Sequence, residues 1–527
     1  MTTNVESAGS PNAGDAPVPD MTPREIRQAL TGLMTGMFVA ILAATVVSNA
    51  LPVIIADLGG SQSAYTWVVT AELLAMTAGV PLWGELSDLY SQKLLIQLAL
   101  AFFVAGSVLS GLAQDAGTLI VARIFQGIGA GGVTALVQVV MAAMIPPREL
   151  GRYAGVFGGV FAAATVSGPL VGGLLVDTSW LGWRATFLLG VPFAVLAIVL
   201  LQKTLRLHQA HRAGRVDWLG ALLITSGICT LLIWVTLAGD RFAWSSGVSL
   251  LMAGGAATLL ILAGWVESRA AEPLFPLPVL ANRTVALTAV ASALVGMAMY
   301  GSTVFLSQYF QISLNYSPTV SGLLSLPMIL GLLMSSTIAG GLISRSGRWK
   351  RFLVAGGVLL TTGFGLLSTI DAMTSVFTLS AFLVVVGIGI GLLMQNLVLA
   401  AQNDVPASHV GAATSTLTFS RTLGGTIGVS LLGALLASQV TGDLDGSSVG
   451  SAGGHDLAVP DVSALPPDLL GLVQQAYADA TAELFLVATP LAALALSAVV
   501  WVKEIPLKKT SAAQRLAREQ ESAPNPS

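Results

Sequence analysis

Long uninterrupted apolar runs follow one another along nearly the whole chain, with short polar connectors between them. A run of about 20 apolar residues is long enough to cross a bilayer as a helix. The pattern therefore predicts an all-α integral membrane protein with fourteen transmembrane helices. The predicted spans are residues 30–52, 64–83, 94–113, 118–144, 153–176, 185–202, 217–238, 247–266, 284–310, 319–343, 352–370, 374–401, 410–438 and 481–502.

The composition agrees with a chain that lies mostly in a membrane. Of 527 residues, 54% are hydrophobic and 10% are charged, and the mean hydropathy is +0.80. An ordinary soluble domain has about 25% charged residues. A soluble globular protein is excluded. The apolar share fills about fourteen spans and leaves little sequence for a separate soluble domain.

Charge and cysteine content exclude further classes. The net charge of -3 offers no excess of basic surface, so we expect no nucleic-acid partner. The single cysteine, Cys229, can form neither an intrachain disulfide nor a zinc-binding thiolate cluster, and it is typical of a small buried hydrophobe. Residues 1–29 are predicted to form a disordered cytoplasmic tail, with most of the Pro, Gly, Ser and Asp in residues 1–22.

The basic residues indicate the orientation in the membrane. An even number of spans puts both termini on one side, and all Lys and Arg except Arg123, Arg184, Arg241 and Arg421 fall on that side. The positive-inside rule makes this side cytoplasmic, in an inner or plasma membrane. The predicted loop 439–480 contains six Asp and no Lys or Arg, so we expect it to be extracytoplasmic. It is a solvated connector with one short helix near 467–480, or a segment that gathers substrate or docks a partner.

A short pattern repeats within the chain. The stretch from Gly84 to Lys93 follows the second run, and Gly341 to Arg348 follows the tenth, each in a predicted cytoplasmic turn. Two six-helix bundles with two inserted helices account for both positions, and repeated halves with a site between them are typical of secondary transporters. The predicted parts are bundle 30–203, inserted helices 204–282, bundle 283–502 and cytoplasmic tail 503–527.

Four sequence blocks occur in order along the predicted helices. They are Thr45-Val46-Val47 with Ala50-Leu51-Pro52, Gly84-x-Leu86-x-Asp88 with Lys93, Arg123-Ile124-Phe125-Gln126-Gly127-Ile128-Gly129-Ala130, and Ser167-Gly168-Pro169-Leu170-Val171-Gly172-Gly173. These blocks resemble the major facilitator superfamily, and within it the fourteen-helix drug:proton antiporters of the EmrB/QacA type, also called DHA2. The resemblance implies the major facilitator fold and covers about residues 30–438.

The resemblance implies a set of gating residues. The glycines and proline of the fourth block bend a helix and allow close packing, and in the family this block is associated with export; ordinary packing of small residues is the alternative. Asp88 caps a helix, pairs with a base, or is only a solvated loop acid. This chain has Leu89, Ser91 and Gln92 where relatives have basic residues and glycine. The implied gate consists of Gly84, Asp88, Lys93, Gly168, Pro169, Gly172, Gly173, Arg345, Gly347 and Arg348.

Charges inside a span need a function because each costs roughly 2.5–3.5 kcal/mol to insert. Only Glu72, Arg123 and Arg421 lie well inside predicted spans. Relatives place an acid in the first helix where this chain has Ala43, so we hypothesise that Glu72 replaces it and keeps Arg123 as its partner. Burial and a nearby cation act oppositely on a carboxylate's pKa, which would suit proton coupling. The alternative is a static ion pair between two helices.

Amide and aromatic side chains within the spans are candidates for substrate binding, although about half of the polar ones are expected only to hold helices together. Arg421 either contacts substrate or bonds backbone carbonyls near the inner leaflet. The predicted substrate-binding residues are Asn49, Gln126, Gln308, Tyr309, Gln395 and Arg421.

The predicted function is proton-coupled multidrug efflux by alternating access, with amphipathic toxic compounds or antibiotics as substrates. A dedicated exporter of one natural product or lipid is the second interpretation, and a membrane-embedded enzyme is a remote one. The chain has no Gly-Lys dipeptide and its four histidines form no His-Glu-x-x-His motif, so no enzyme is predicted. We expect no cofactor or metal, the proton gradient as energy source, and a monomer in the lipid bilayer.

Overall fold

The computed structural model describes residues 22–58, 62–177, 182–205, 218–238, 242–270, 277–316, 318–444, 467–512 and 514–515. These residues form helices joined by short turns. Apart from one isolated bridge between Ala238 and Phe242, they contain no β-structure. The all-helical prediction is confirmed for the described part of the chain.

Nine helices form the first part of the described chain. They are α1 (Pro23–Asp57), α2 (Gln62–Leu89), α3 (Gln92–Gly111), α4 (Ala116–Met144), α5 (Pro147–Asp177), α6 (Arg184–Leu188), α7 (Gly190–Thr204), α8 (Trp218–Leu237) and α9 (Gly247–Glu267). The α4 helix begins at a side-chain cap, since the Asp115 carboxylate accepts a hydrogen bond from the Thr118 backbone N–H at 2.8 Å. Helices α6 and α7 are separated only by Leu189 and together form one apolar segment.

The later helices continue in the same manner. They are α10 (Leu277–Ala281), α11 (Arg283–Gln308) with a π turn at Tyr309–Ser313, α12 (Pro318–Leu324), α13 (Leu326–Ser346), α14 (Lys350–Leu367), α15 (Val376–Asp404), a 3-10 turn at Ala407–His409, α16 (Val410–Leu444) and α17 (Pro467–Trp501). The α15 helix starts like α4, because the Ser375 side chain accepts from the Thr378 N–H.

Eleven of the described helical segments are long and apolar enough to cross a membrane. Helices α5, α8 and α16 are not among the eleven, although they have 31, 20 and 35 residues. The predicted count of fourteen spans therefore stays a prediction.

Several helices run further than their apolar runs. Gly84 to Asp88 lie on α2, which ends at Leu89, and Gly341 to Ser346 lie on α13. Placing both stretches in turns was wrong, because a helix continues through polar residues while its backbone hydrogen bonds remain satisfied. The α13 helix ends at Gly347, whose left-handed φ of 71° terminates the helix.

The ends of the predicted loop 439–480 are also helical. The α16 helix reaches Leu444, and Pro467–Ala480 is the first part of the continuous α17 helix rather than a separate short one. Residues 445–466 of this loop, and residues 1–21 and 516–527 of the predicted tails, lie outside the described residues.

The two halves repeat one packing scheme. In the first half α2 and α3 pack on α4, while α1 packs on α5 and α7. In the second half α13 and α14 pack on α15, while α11 packs on α16 and α17. Each of these helices therefore has a counterpart in the other half.

Helices α4 and α15 show the repeat most clearly. Both have 29 residues, and both carry three glycines spaced by two at equal distances from the helix start. The equivalent positions are Gly127 and Gly387, Gly129 and Gly389, and Gly131 and Gly391. These glycines let neighbouring backbones approach closely: Gly127 lies against the Glu72 carbonyl of α2, and Gly387 lies against the Met328 carbonyl of α13.

The halves join through α5 with α13 and through α2 with α16. Helices α8 and α9 pack on each other, and α8 contacts both α2 and α16. Its Ile224 and Ile228 belong to a cluster with Leu74 of α2 that packs against Phe419 and Leu423 of α16. The inserted pair thus covers the seam on this side of the molecule.

We call one end of the bundle the basic end. It carries the α2–α3 and α13–α14 turns, the start of α1 and the segment after α17. Residues after α17 fold across it, since the Trp349 indole N–H donates to the Ile505 carbonyl at 2.9 Å and the Lys508 N–H donates to the Asn403 Oδ1 at 2.9 Å.

Candidate functional site

Glu72 and Arg123 form a buried ion pair where α2 crosses α4. The Arg123 Nη2 donates a hydrogen bond to the Glu72 Oε2. Arg123 is 2% exposed and Glu72 is 5% exposed. The other carboxylates buried among the described residues, Glu85 and Glu267, lie near the end of α2 and at the last residue of α9. Of the buried carboxylates among the described residues, Glu72 is therefore the only one that lies in the interior of a helix.

A network of polar groups holds the arginine in place. Arg123 Nη1 donates to the Gln126 Oε1 at 2.7 Å, and its Nε donates to the Val68 carbonyl at 3.4 Å. The Gln126 amide then donates to the Ser107 hydroxyl of α3 at 3.0 Å. The Phe187 ring centroid lies 5.8 Å from the guanidinium carbon. Because the network links α2, α3 and α4, a change in the charge of Glu72 would alter hydrogen bonds that connect three helices.

Arg421 has no such network. It lies on α16, is 8% exposed, and makes no hydrogen bond or ion pair with another described residue. The phenol of Tyr300 on α11 is close enough to interact with it electrostatically. The ring of Tyr300 in turn packs on Gly425, one turn after Arg421. The buried interior therefore contains one neutralised and one unneutralised arginine in the described part of the chain.

The predicted substrate-binding side chains divide into two groups. Gln126 is engaged in the Arg123 network, and the Tyr309 hydroxyl donates to the Asp371 carbonyl at 2.7 Å, so both side chains have hydrogen-bond partners within the protein. Gln308 and Gln395 each have a buried Oε1 without a hydrogen-bond partner. These two, with Arg421, retain free polar atoms. Asn49 lies on α1, and its side chain is outside the described part of the structure.

Close contacts between the halves occur toward the basic end. Gly84 of α2 packs on the Ser415 side chain of α16, and Gly158 of α5 lies near the Ser336 side chain of α13. The Gln402 amide of α15 donates to the Thr414 hydroxyl at 2.9 Å and to the Gln138 carbonyl of α4 at 3.5 Å. The two halves are therefore in direct contact near this end.

A small apolar cleft lies within the second half, between α11, α14, α16 and α17. Its lining includes Met297, Phe305 and Phe485. Glu72, Arg123 and Arg421 do not line it. Among the described residues, no three His, Cys, Asp or Glu side chains gather where a metal ion could bind.

Comparison with known proteins decides the family. The family model of the Major Facilitator Superfamily matches residues 33–429. The chain belongs to the major facilitator superfamily. Among its relatives, an uncharacterized MFS-type transporter of Mycobacterium tuberculosis is 35% identical over 94% of this chain and 72% of that protein. The multidrug transporter protein MdtP of Bacillus subtilis is 32% identical over 78% of this chain and 75% of its own length.

A solved structure agrees on the major facilitator fold. The structure of the proton:xylose symporter XylE superimposes with a TM-score of 0.61 over 94% of this chain and 99% of that one, at 14% sequence identity. At this identity the match supports the fold alone. The expected superfamily and the multi-pass membrane architecture are confirmed, and the family consists of transporters rather than enzymes.

The structure places the major facilitator motifs on the five helices α1 to α5. Gly168 of α5 packs on the Thr45 side chain of α1, and a Cβ at Gly172 would lie 3.0 Å from the Val46 carbonyl, so this block fixes α5 against α1. Lys93 donates to the Gln202 carbonyl at 2.7 Å, near the C-terminal end of α7, which it stabilises electrostatically. The side chains of Asp88, Pro169 and Gly173 are outside the described part of the structure.

The repeated motif of this major facilitator protein carries no ion pair in its second copy among the described residues. Arg345 and Arg348 are exposed at the end of α13, and the Arg348 N–H donates to the Ser346 hydroxyl at 3.3 Å. The positions that the sequence analysis missed are Ser107 and Phe187 around Arg123, and Tyr300 and Thr418 near Arg421. Only Thr418 carried a sequence signal, since it precedes Arg421 by three residues on one helix.

Proposed function

We propose that the chain is a proton-coupled multidrug exporter that works by alternating access in an inner or plasma membrane. The observation that carries the proposal is the buried Glu72–Arg123 ion pair in a helix interior of a major facilitator protein. A carboxylate in this position can exchange a proton while its partner stays charged, because arginine keeps its proton in proteins. The name of the 32% identical Bacillus relative, a multidrug transporter protein, supports efflux of drugs.

The proposal includes the fourteen-helix architecture of the EmrB/QacA type. Helices α5, α8 and α16 would complete the eleven apolar segments to fourteen spans, with α8 and α9 inserted between two six-helix halves. We infer that the basic end faces the cytoplasm, as the positive-inside rule requires, and that the termini lie on that side. Gln308 and Gln395 would contact amphipathic substrates through their free carbonyl oxygens.

The test is transport by purified protein in proteoliposomes. With an acidic lumen, wild type should accumulate an amphipathic dye as protons leave, and a protonophore should abolish this accumulation. Glu72→Gln should lose the response to the pH gradient while still letting dye equilibrate down its own gradient. Glu483→Gln, which alters an exposed glutamate of α17, is the matched control and should behave as wild type. Full pH-driven accumulation by Glu72→Gln would contradict the proton-coupling role.

The breadth of transport separates the two exporter interpretations. Cells with and without the protein are compared on a panel of chemically unrelated drugs. A multidrug exporter shifts many sensitivities, and a dedicated exporter of one natural product or lipid shifts one. Both kinds of exporter should fail when the proton gradient is collapsed.

A further inference from the structure

Arg421 is a permanent buried cation for which the described residues supply no counter-ion. Its side chain is more than nine-tenths buried, and neither a hydrogen bond nor an ion pair reaches it from another described group. A guanidinium cannot be neutralised by losing its proton in a protein. Arg123 differs in this respect, since Glu72, Gln126 and the Val68 carbonyl all bind it.

Two hydroxyl side chains lie at the same packing contact of α11 and α16 as Arg421. The Thr418 hydroxyl is buried without a hydrogen-bond partner, and it lies three residues before Arg421, so both side chains are on one face of α16. The Tyr300 ring of α11 packs on Gly425, one turn after Arg421, and its phenol makes no hydrogen bond to another described residue. Many serines and threonines in these helices donate to a carbonyl one turn back, whereas the buried hydroxyls of Thr418, Thr77, Ser110 and Ser313 have no hydrogen-bond partner among the described residues.

Helix packing fixes the position of these three groups. A Cβ at Gly296 of α11 would collide with the Arg421 backbone carbonyl, and one at Gly425 would collide with the Tyr300 ring. The α11 and α16 backbones are therefore as close as they can be at this level. Arg421, Thr418 and Tyr300 are held together by the scaffold and do not depend on bonds to one another.

We propose that Arg421, Thr418 and Tyr300 form a subsite for a carboxylate on the exported molecule; this inference rests on the proposed export function. The guanidinium presents paired N–H donors that match the two oxygens of a carboxylate, and the two hydroxyls add donors. Since no described carboxylate pairs with Arg421, the subsite favours acids and zwitterions over purely cationic compounds. The substrate class is an amphipathic molecule with an ionised carboxylate.

The experiment compares two probes that differ by one charge. A carboxylated rhodamine and its ethyl ester are bound to the purified full chain in nanodiscs, and affinity is read by fluorescence anisotropy after subtraction of empty nanodiscs. Wild type should prefer the acid, and Arg421→Gln should reduce the ratio of acid to ester affinity about tenfold, as expected for a lost charge-assisted hydrogen bond. Thr418→Val and Tyr300→Phe should each reduce the ratio about threefold, less because a single hydroxyl is removed.

Two controls separate recognition from structural support. Arg421→Lys keeps the charge and should retain part of the preference. Arg351→Gln removes a cation at the basic end, where its guanidinium donates to the Ser346 hydroxyl at 3.2 Å, and should leave the ratio unchanged. If Arg421 only supported the fold, Arg421→Gln would lower the thermal midpoint and weaken both probes equally.

The outcomes of this binding experiment can be distinguished from those of the transport test of the proposed function. No preference for the acid in wild type, or an unchanged ratio in Arg421→Gln, overturns the carboxylate subsite even if pH-driven transport is observed. A preference that depends on Arg421, in a protein that transports neither dye in response to a pH gradient, would support the subsite and contradict proton-coupled export.

Discussion

The crossing of α2 and α4 and the crossing of α13 and α15 are built on the same glycines but carry different chemistry. Gly127 faces the Glu72 carbonyl in the first crossing, and Gly387 faces the Met328 carbonyl in the second. The position equivalent to Arg123, eight residues into its helix, is Leu383. Both Met328 and Leu383 are buried in the apolar core. The second half therefore shows that this scaffold packs without charges.

This difference bears on the proposed role of the charges in the first half. A buried ion pair is often no more stabilising than well-packed apolar residues of similar size. Since the chain itself uses a methionine and a leucine at the equivalent crossing, packing does not explain the Glu72–Arg123 pair. The asymmetry between the halves agrees with a proton-coupling role for the charged crossing.

The largest expected effect comes from breaking the pair on one side only. Glu72→Met leaves a buried Arg123 that cannot lose its charge, so we expect the free energy of unfolding to fall by about 3–5 kcal/mol. Arg123→Leu should cost less, because the remaining carboxylate can be neutralised by a proton. Thermal denaturation in detergent micelles measures both changes.

The double variant Glu72→Met with Arg123→Leu copies the second half into the first and serves as the control. It should recover most of the stability lost by Glu72→Met, and it should show no transport driven by a pH gradient. A double variant as unstable as Glu72→Met would mean that the two crossings are not equivalent. Retained pH-driven transport would remove Glu72 and Arg123 from the coupling mechanism.

Substituting the glycines that the two crossings share should lower stability by smaller and similar amounts. Gly127→Ala and Gly387→Ala each push a methyl group into a backbone carbonyl of the neighbouring helix, so each should destabilise the protein by about 1–3 kcal/mol. Gly254 on α9 has open space around its Cβ position, and Gly254→Ala should be neutral or stabilise by about 0.5–1 kcal/mol. The thermal midpoints of the three variants are compared. A loss confined to one half would show that the crossings differ in packing as well as in charge.

The sequence was sufficient for the class of fold and for finding the charges. Apolar runs of about 20 residues and a few sorted charges mark membrane helices whatever their tertiary contacts, and Glu72, Arg123 and Arg421 were identified because charges inside such runs are rare. Helix ends were less predictable, since α2 continues through polar residues to Leu89.

The partners of these charges depended on tertiary structure. Gln126 binds Arg123 and Ser107 because α3 and α4 approach closely at Gly106, and its contact with substrate stays a prediction. Tyr300 lies 121 positions before Arg421, and only the packing of α11 on α16 brings them together. No local pattern in the sequence encodes such distances.

The smallest effect tests the starts of the two equivalent helices. The carboxylate of Asp115 caps α4, and its hydrogen bonds from Thr118 hold its pKa below the ordinary value, whereas α15 is capped by Ser375, which does not titrate. A lowered folded pKa gives stability that is complete above the unfolded value of about 3.9 and is lost as pH falls through the folded value. Asp115→Ser gives α4 the cap of α15, so the difference in thermal midpoint between wild type and this variant should shrink as the pH is lowered from 7 to 3.

Ser375→Ala is the control in the other half, and its difference from wild type in thermal midpoint should stay constant over the same range. A difference for Asp115→Ser that does not change with pH would show that the Asp115 cap works through its geometry and not through its charge.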